Sequence, residues 1–394
     1  MKRIGHFFST MLWVLVLSIG TVERACAQEP AENNIDVKEI IFEHLGDAYE
    51  WHILTWGDKE VTIPLPVIVY SATSGWHCFL SSAFTSAAEE GSGQVDGLTI
   101  AHDGEDEGKI VEWSDGQWHR PALDLSITKN VAALLVNSLL LVLIILLVAR
   151  WYRHHPVHQT SPGGFVGFME MFIMSVEIDI VRSCVGKDYR RYSPYLLTVF
   201  FFIFLNNLMG LLPVFPGGAN LTGNIAVTMV LALMTFCMVN LGGNRHYWKD
   251  ILWPEVPAWL KVPFPLMPII ELFGVFTKPF SLMVRLFANI FAGHSIILAL
   301  VCVIFVAAKM GAEMTTGMTL VSVLFSIFMN FLELLVAYIQ AYVFTMLSAV
   351  FIGMSRPTNA GQNQDHHPDK TATVRENNEN ISSDNSTVKS LSTL

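Results

Sequence analysis

The sequence predicts an all-α, multi-span membrane protein: about five membrane-embedded helices, two of them long and steeply tilted, an interfacial amphipathic helix, and a small exported N-terminal region. Three observations predict it. Of the 394 residues 52% are hydrophobic and only 15% charged, at a mean hydropathy of +0.45, which is too apolar for a soluble domain to cover with polar surface. The net charge of −10 is divided, with Asp and Glu crowding residues 28–128 and Lys and Arg clustering after residue 149, a split that reads as topology with the basic side inside. Apolar runs of bilayer-spanning length recur from Val131 onward. The five cysteines (Cys26, Cys78, Cys184, Cys237, Cys302) have no CxxC spacing, so neither a structural zinc site nor a disulfide framework is indicated.

Residues 1–27 read as a signal peptide: Met1-Lys2-Arg3 is basic, Met11–Ile19 apolar, and Ala25-Cys26-Ala27 has the small-residue cleavage pattern. The apolar stretch is short of the roughly 20 residues that a retained anchor needs. Residues 28–128 form an acidic exported region whose basic residues are Lys38, Lys59, Lys109 and Arg120. Val61–Ile63 and Val67–Tyr70 are strand-like, and residues 91–108 have the glycine and acid density of a loop. The acids of Asp103–Glu107 lack the twelve-residue pattern of a calcium loop and read as solvated.

Residues 129–355 are expected to form the membrane ion-channel domain. Val131–Ala149 is an apolar span followed at once by Arg150, Arg153, His154 and His155, which places its end in the cytoplasm. Phe165–Arg182 mixes apolar residues with Glu170, Glu177 and Asp179, as an amphipathic helix lying on the membrane does. Ser193-Pro194 predicts a helix start, with a hydroxyl cap and a proline in the first turn, leading to Leu212-Pro213. An uncharged turn at 215–220 and a second run, Ile225–Leu241, complete a hairpin that stops at Gly242-Gly243. Phe264–Ala308 is one apolar stretch containing Glu271, Lys278, Arg285 and His294. As a helix it is about 60 Å or more long, twice the hydrocarbon thickness of about 30 Å, so it must tilt, lie partly in the membrane plane, or bend at Pro265, Pro268 or Pro279. A second long stretch, Gly317–Met354, holds Asn330, Glu333 and Gln340. The tail, 356–394, is rich in Asn, Ser, Asp and Thr and reads as a disordered cytoplasmic end.

A buried arginine in lipid is expensive and cannot discharge itself by losing a proton, so Arg285 needs a functional partner. Glu271, Lys278, Ser281, Arg285 and Asn289 recur near one face of a 3.6-residue period, while His294, nine residues past Arg285, points the opposite way. Glu333 and Gln340, seven apart, share a face. Such a set suits an ion path, with proton-exchanging groups on either side of a fixed positive charge. The bland alternative, satisfied interhelical hydrogen bonds, fits Asn330 and Ser281 better than Arg285.

The run Lys278-Pro-Phe-Ser-Leu-Met-Val-Arg285-Leu-Phe-Ala-Asn289-Ile-Phe-Ala-Gly-His294 resembles the signature of F-type ATP synthase subunit a. The resemblance extends from Ile35-Asp36 and Phe42–Leu45 through Asn206–Pro213 and Thr222–Asn224 to Gln340–Phe344. It implies that Arg285 faces the rotor carboxylate, that Glu271, His294, Glu333 and Asn289 are polar members of two ion half-channels, and that Gln340 neighbours the arginine. Many bacterial relatives have Glu where this chain has His294 and His where it has Glu333, so the pair is exchanged and both chemistries are kept. The family implies the c-ring, peripheral stalk subunit b and the lipid bilayer as partners. It also implies a bacterial inner membrane location with the N-terminal region outside. No catalytic residue, cofactor, metal or nucleic acid is expected. A transporter would also bury such groups, but no internal repeat is visible. An intramembrane or nucleotide-binding enzyme is disfavoured because HExxH, GxSxG and GxxxxGK[ST] are all missing.

Overall fold

The computed structural model describes residues 46–356 apart from 57–58, 73, 90–92, 102–105, 107, 115–116, 156–161, 213–216, 253–265 and 309–311. The signal segment, the tail after Arg356 and most of the acidic run 103–107 lie outside the described residues.

The acidic region is a β-module. β1 (Glu50–Trp56) and β2 (Lys59–Pro64) form an antiparallel hairpin. β3 (Pro66–Ser71) lies between β4 (Gly75–Leu80) and β8 (Leu123–Asp124) in a second antiparallel sheet. β5 (Leu98–Ile100), β6 (Ile110–Ser114) and β7 (Gln117–His119) form a third, and a short α1 (Ser82–Glu89) follows β4. Strand alternation turns Val67 and Val69 inward, where they meet Tyr49, Phe84, Leu98 and Ile110. Residues 91–108 are therefore not all loop: the three residues Leu-Thr-Ile pair with β6, and Leu98 is buried. A second cluster joins the module to the helices. In it Trp51 and Leu65 pack on Ala133 of the first long helix and on Ala219 and Leu221 of a later loop.

That helix, α2 (Lys129–His154), is capped by Thr128, whose Oγ1 accepts from the Val131 N–H at 3.5 Å. It exposes Val131, Leu135, Leu139 and Val142 at helical spacing. α3 (Phe165–Ser175) is not a separate helix lying on the membrane: its exposed side chains, Phe165, Phe168, Met171 and Met174, are apolar, and it belongs to one long span-like stretch, Phe165–Gly210. It runs on through a π-helical segment (Val176–Arg182), a turn of α-helix (Ser183–Val185) and a 3-10 turn (Gly186–Asp188) into α4 (Tyr189–Gly210). Its inner side, Met169, Val176, Ile180 and Val181, enters the main core. α4 starts at Tyr189, so Ser193 is not its cap and Pro194 is interior. The carbonyl that Pro194 leaves without a donor belongs to Arg190, an exposed residue and the second of the helix, where water can take the bond.

α5 (Ile225–Gly242) is capped by Asn224, whose Oδ1 accepts from the Ala226 N–H at 2.9 Å, and α6 (Arg245–Leu252) follows. α7 (Leu266–Ala308) and α8 (Ala312–Met354) have 43 residues each, about 65 Å at 1.5 Å per residue. α7 keeps Pro279 in its interior. Five helical stretches are long and apolar enough to cross a membrane. The bundle core joins Phe200 and Ile203 of α4, Leu282 and Leu286 of α7, and Phe344 and Ile352 of α8. Rings of Phe172, Phe200, Phe204 and Tyr338 lie 5.6 to 6.3 Å apart within it. At the far end, Arg356 donates from Nε to the Gly242 carbonyl (2.8 Å), pairs with Asp188 (3.2 Å) and lies 5.4 Å over the Tyr192 ring.

Candidate functional site

α7 and α8 pack along each other, and their polar residues meet in register. The Asn289 amide donates to Gln340 Oε1 at 2.9 Å. Five residues on along α7, the His294 imidazole Nδ1 contacts Glu333 Oε1, seven residues back along α8. This ordering is what two antiparallel helices produce. Glu333 and Gln340 are buried, at 5% and 3% exposure. Glu333 Oε2 and Gln340 Nε2 have no hydrogen-bond partner among the described residues. Gly293 makes the close approach possible, because a Cβ there would sit 3.0 Å from Glu333 Oε1. The far nitrogen of His294 faces α4, 3.6 Å from where a Cβ on Gly210 would lie.

Arg285 is one helical turn before Asn289 and exposed, without a hydrogen-bond or ion-pair partner among the described residues. It stands on an apolar surface shared with Val284, Ala288 and Ala292. Such a permanent charge is costly beside lipid unless a counter-charge or water answers it.

Glu271 is half-buried, 14 residues before Arg285 and so about 21 Å away along the helix. It belongs to a different group. Burial first, and then the negative charge of Glu271, push the Tyr247 hydroxyl above its ordinary range. That hydroxyl donates to Asn240 Oδ1 at 3.3 Å. Tyr247 and Asn240 line a narrow cleft with Thr235 and Lys278, and the Lys278 ammonium lies 5.7 Å from the Phe351 ring centroid. Polar groups therefore gather at two places on α7, before and after Arg285. The expected residues divide accordingly: His294, Glu333, Asn289 and Gln340 come together, Glu271 stands apart, and Arg285 lies between.

A family model described as ATP synthase A chain matches residues 134–353, more than half of the chain. The chain belongs to the ATP synthase A chain family. Its relatives include "ATP synthase subunit a 2" of Prosthecochloris aestuarii, 39% identical over 69% of this chain and 83% of that one. "ATP synthase subunit a 2" of Chlorobium luteolum is 40% identical over 64% and 73%, and "ATP synthase subunit a" of Myxococcus xanthus 39% over 62% and 77%. A further model, described as a domain of unknown function, matches the β-module at residues 40–126. As an ATP synthase A chain the protein is multi-pass, works within the ATP synthase complex and translocates ions, while nucleotide chemistry belongs to other subunits.

Several polar contacts of this A chain were not assigned a role from sequence. Asn207 donates to the Ala337 carbonyl (3.3 Å) and accepts from Thr222 (2.7 Å), tying α4 and the α4–α5 loop to α8. Asn137 donates to Asn206 at 3.0 Å, joining α2 to α4. Adjacent amides inside an apolar run were the available signal. Tyr247 had none, since it sits in an ordinary polar segment.

Proposed function

We propose that Glu271, His294, Asn289, Glu333 and Gln340 line two proton half-channels that open on opposite sides of Arg285, the fixed charge facing the c-ring. The observation that carries this reading is Arg285 itself: a fixed charge, exposed on an apolar face and without a partner among the described residues, with a polar group on either side. A proton entering by the His294–Glu333 side neutralises a carboxylate on the ring, which can then turn through lipid, where an ionised carboxylate would cost several kcal/mol. On nearing Arg285 the carboxylate is attracted in its ionised form and releases its proton towards the Glu271–Tyr247 side. The arginine also separates the two paths, because a proton passing directly between them would meet a like charge. Subunit b would hold the bundle from outside the rotor. In this reading the β-module lies outside a bacterial inner membrane after removal of residues 1–27, and the tail lies in the cytoplasm. The basic residues in the last turn of α2 favour that orientation.

The test is ATP-driven acidification of inverted membrane vesicles carrying the native chain or Arg285→Ala, with subunit content measured on the same membranes. Pumping is expected to vanish while the complex remains assembled. Undiminished pumping by the variant would overturn the assignment.

A further inference from the structure

The sheet β4-β3-β8 has two unlike faces. Val67 and Val69 fill the module core from one side. The other carries Ile68 and Tyr70 from β3, Trp76, Cys78 and Leu80 from β4, and Leu123 from β8, which the strand register places side by side. Trp76 is 62% exposed and Leu80 51%. No charged residue lies on this face among the described residues, although the module as a whole is acidic. Tyr70 and Trp76 stack at a tilt with centroids 5.1 Å apart, and each combines an apolar ring with one polar atom, the chemistry that favours the boundary between lipid and water.

The position of the module points the same way. Leu125 donates its N–H to the Ile68 carbonyl (2.9 Å) and continues the apolar face out of the sheet. Three residues later Thr128 caps α2, whose exposed Val131, Leu135 and Leu139 meet lipid. Ile63 and Leu65 pack with Ala132, Ala133 and Val136 in the first turns of that span. The module is thus packed against the first turns of a span-like helix, and Leu125 carries its bare face towards the start of that helix.

We propose that this face of the β4-β3-β8 sheet rests in the headgroup region of the bilayer, at the leaflet where α2 begins, with phospholipid as its partner. The inference rests only on α2 being a span, so the outcome for Arg285→Ala does not bear on it.

The intact ATP synthase, reconstituted into phosphatidylcholine–phosphatidylglycerol vesicles, tests this through a nitroxide on Cys78 with Cys26, Cys184, Cys237 and Cys302 replaced by alanine. The expected result is severalfold greater collision with oxygen than with a water-soluble nickel chelate. Free access of the chelate would overturn the proposal, and so would shielding from both reagents, which would mean that protein covers the face. Should the alanine replacements disturb assembly, the native complex can be irradiated with a diazirine-bearing phosphatidylcholine. Label is then expected on peptides spanning residues 66–80, and its absence there overturns the proposal equally.

Discussion

At Gly293 even a methyl group would land 3.0 Å from Glu333 Oε1, so the contact between imidazole and carboxylate depends on a missing side chain. Gly293→Ala is expected to slow ATP-driven acidification severalfold, at a cost of about 1–3 kcal/mol for the displaced carboxylate, without changing subunit content. Adding Glu333→Asp, which shortens the acid, should restore part of the rate; no effect of Gly293→Ala would show that the contact is unimportant. The exchanged pair gives a second prediction. If the path needs one imidazole and one carboxylate in contact, His294→Glu combined with Glu333→His should pump faster than either single variant, because coupled residues do not contribute additively. The same vesicle measurement decides it, and a double variant no better than the singles would argue against a shared site.

The elements differ in how plainly their residues announce them. Four of the five long apolar stretches are legible whole because lipid selects hydropathy directly, whereas Phe165–Gly210 reads in sequence as two helices; Arg285 and Glu333 stand out because charge is rare there. The start of α4 was not legible: Ser193-Pro194 has the look of a cap, but packing of Tyr192 and Leu196 in the core carries the helix back to Tyr189. β5 was hidden in an acidic stretch because three residues suffice once β6 is beside them. Tyr247 of α6 comes within the electrostatic reach of Glu271 of α7 by tertiary packing, which no local pattern encodes. The module sheets carry their own prediction. Burial, with the hydrogen bond to Asp124 (2.7 Å) and its charge, raises the Tyr49 hydroxyl above its ordinary range. Folding therefore holds that proton, and its contribution to stability is whole below about pH 10 and declines as pH rises above it. Hydrogen exchange of residues 46–124 in the intact complex should quicken above that pH, less steeply in Tyr49→Phe; equal steepness in both would remove Tyr49 as the cause.

Across the whole molecule, the β-module and the bundle are joined by a small apolar seam in which Trp51, at 4% exposure, is the largest side chain. Trp51→Ala is expected to remove about 3–5 kcal/mol of packing and to make the linker 125–128 sensitive to limited proteolysis in the assembled complex. Unaltered resistance would mean that other contacts hold the module. At the opposite end a single guanidinium, that of Arg356, links the close of α8 to the last carbonyl of α5 and to Asp188 before α4. On the proposed function, a neighbour turning against α7 and α8 exerts a sideways drag, and a stationary part is useful only if that load passes beyond the helices that feel it. Arg356 works there as a tie rod: it couples the end of the loaded hairpin to two helices behind it, so the bundle resists torque as one body.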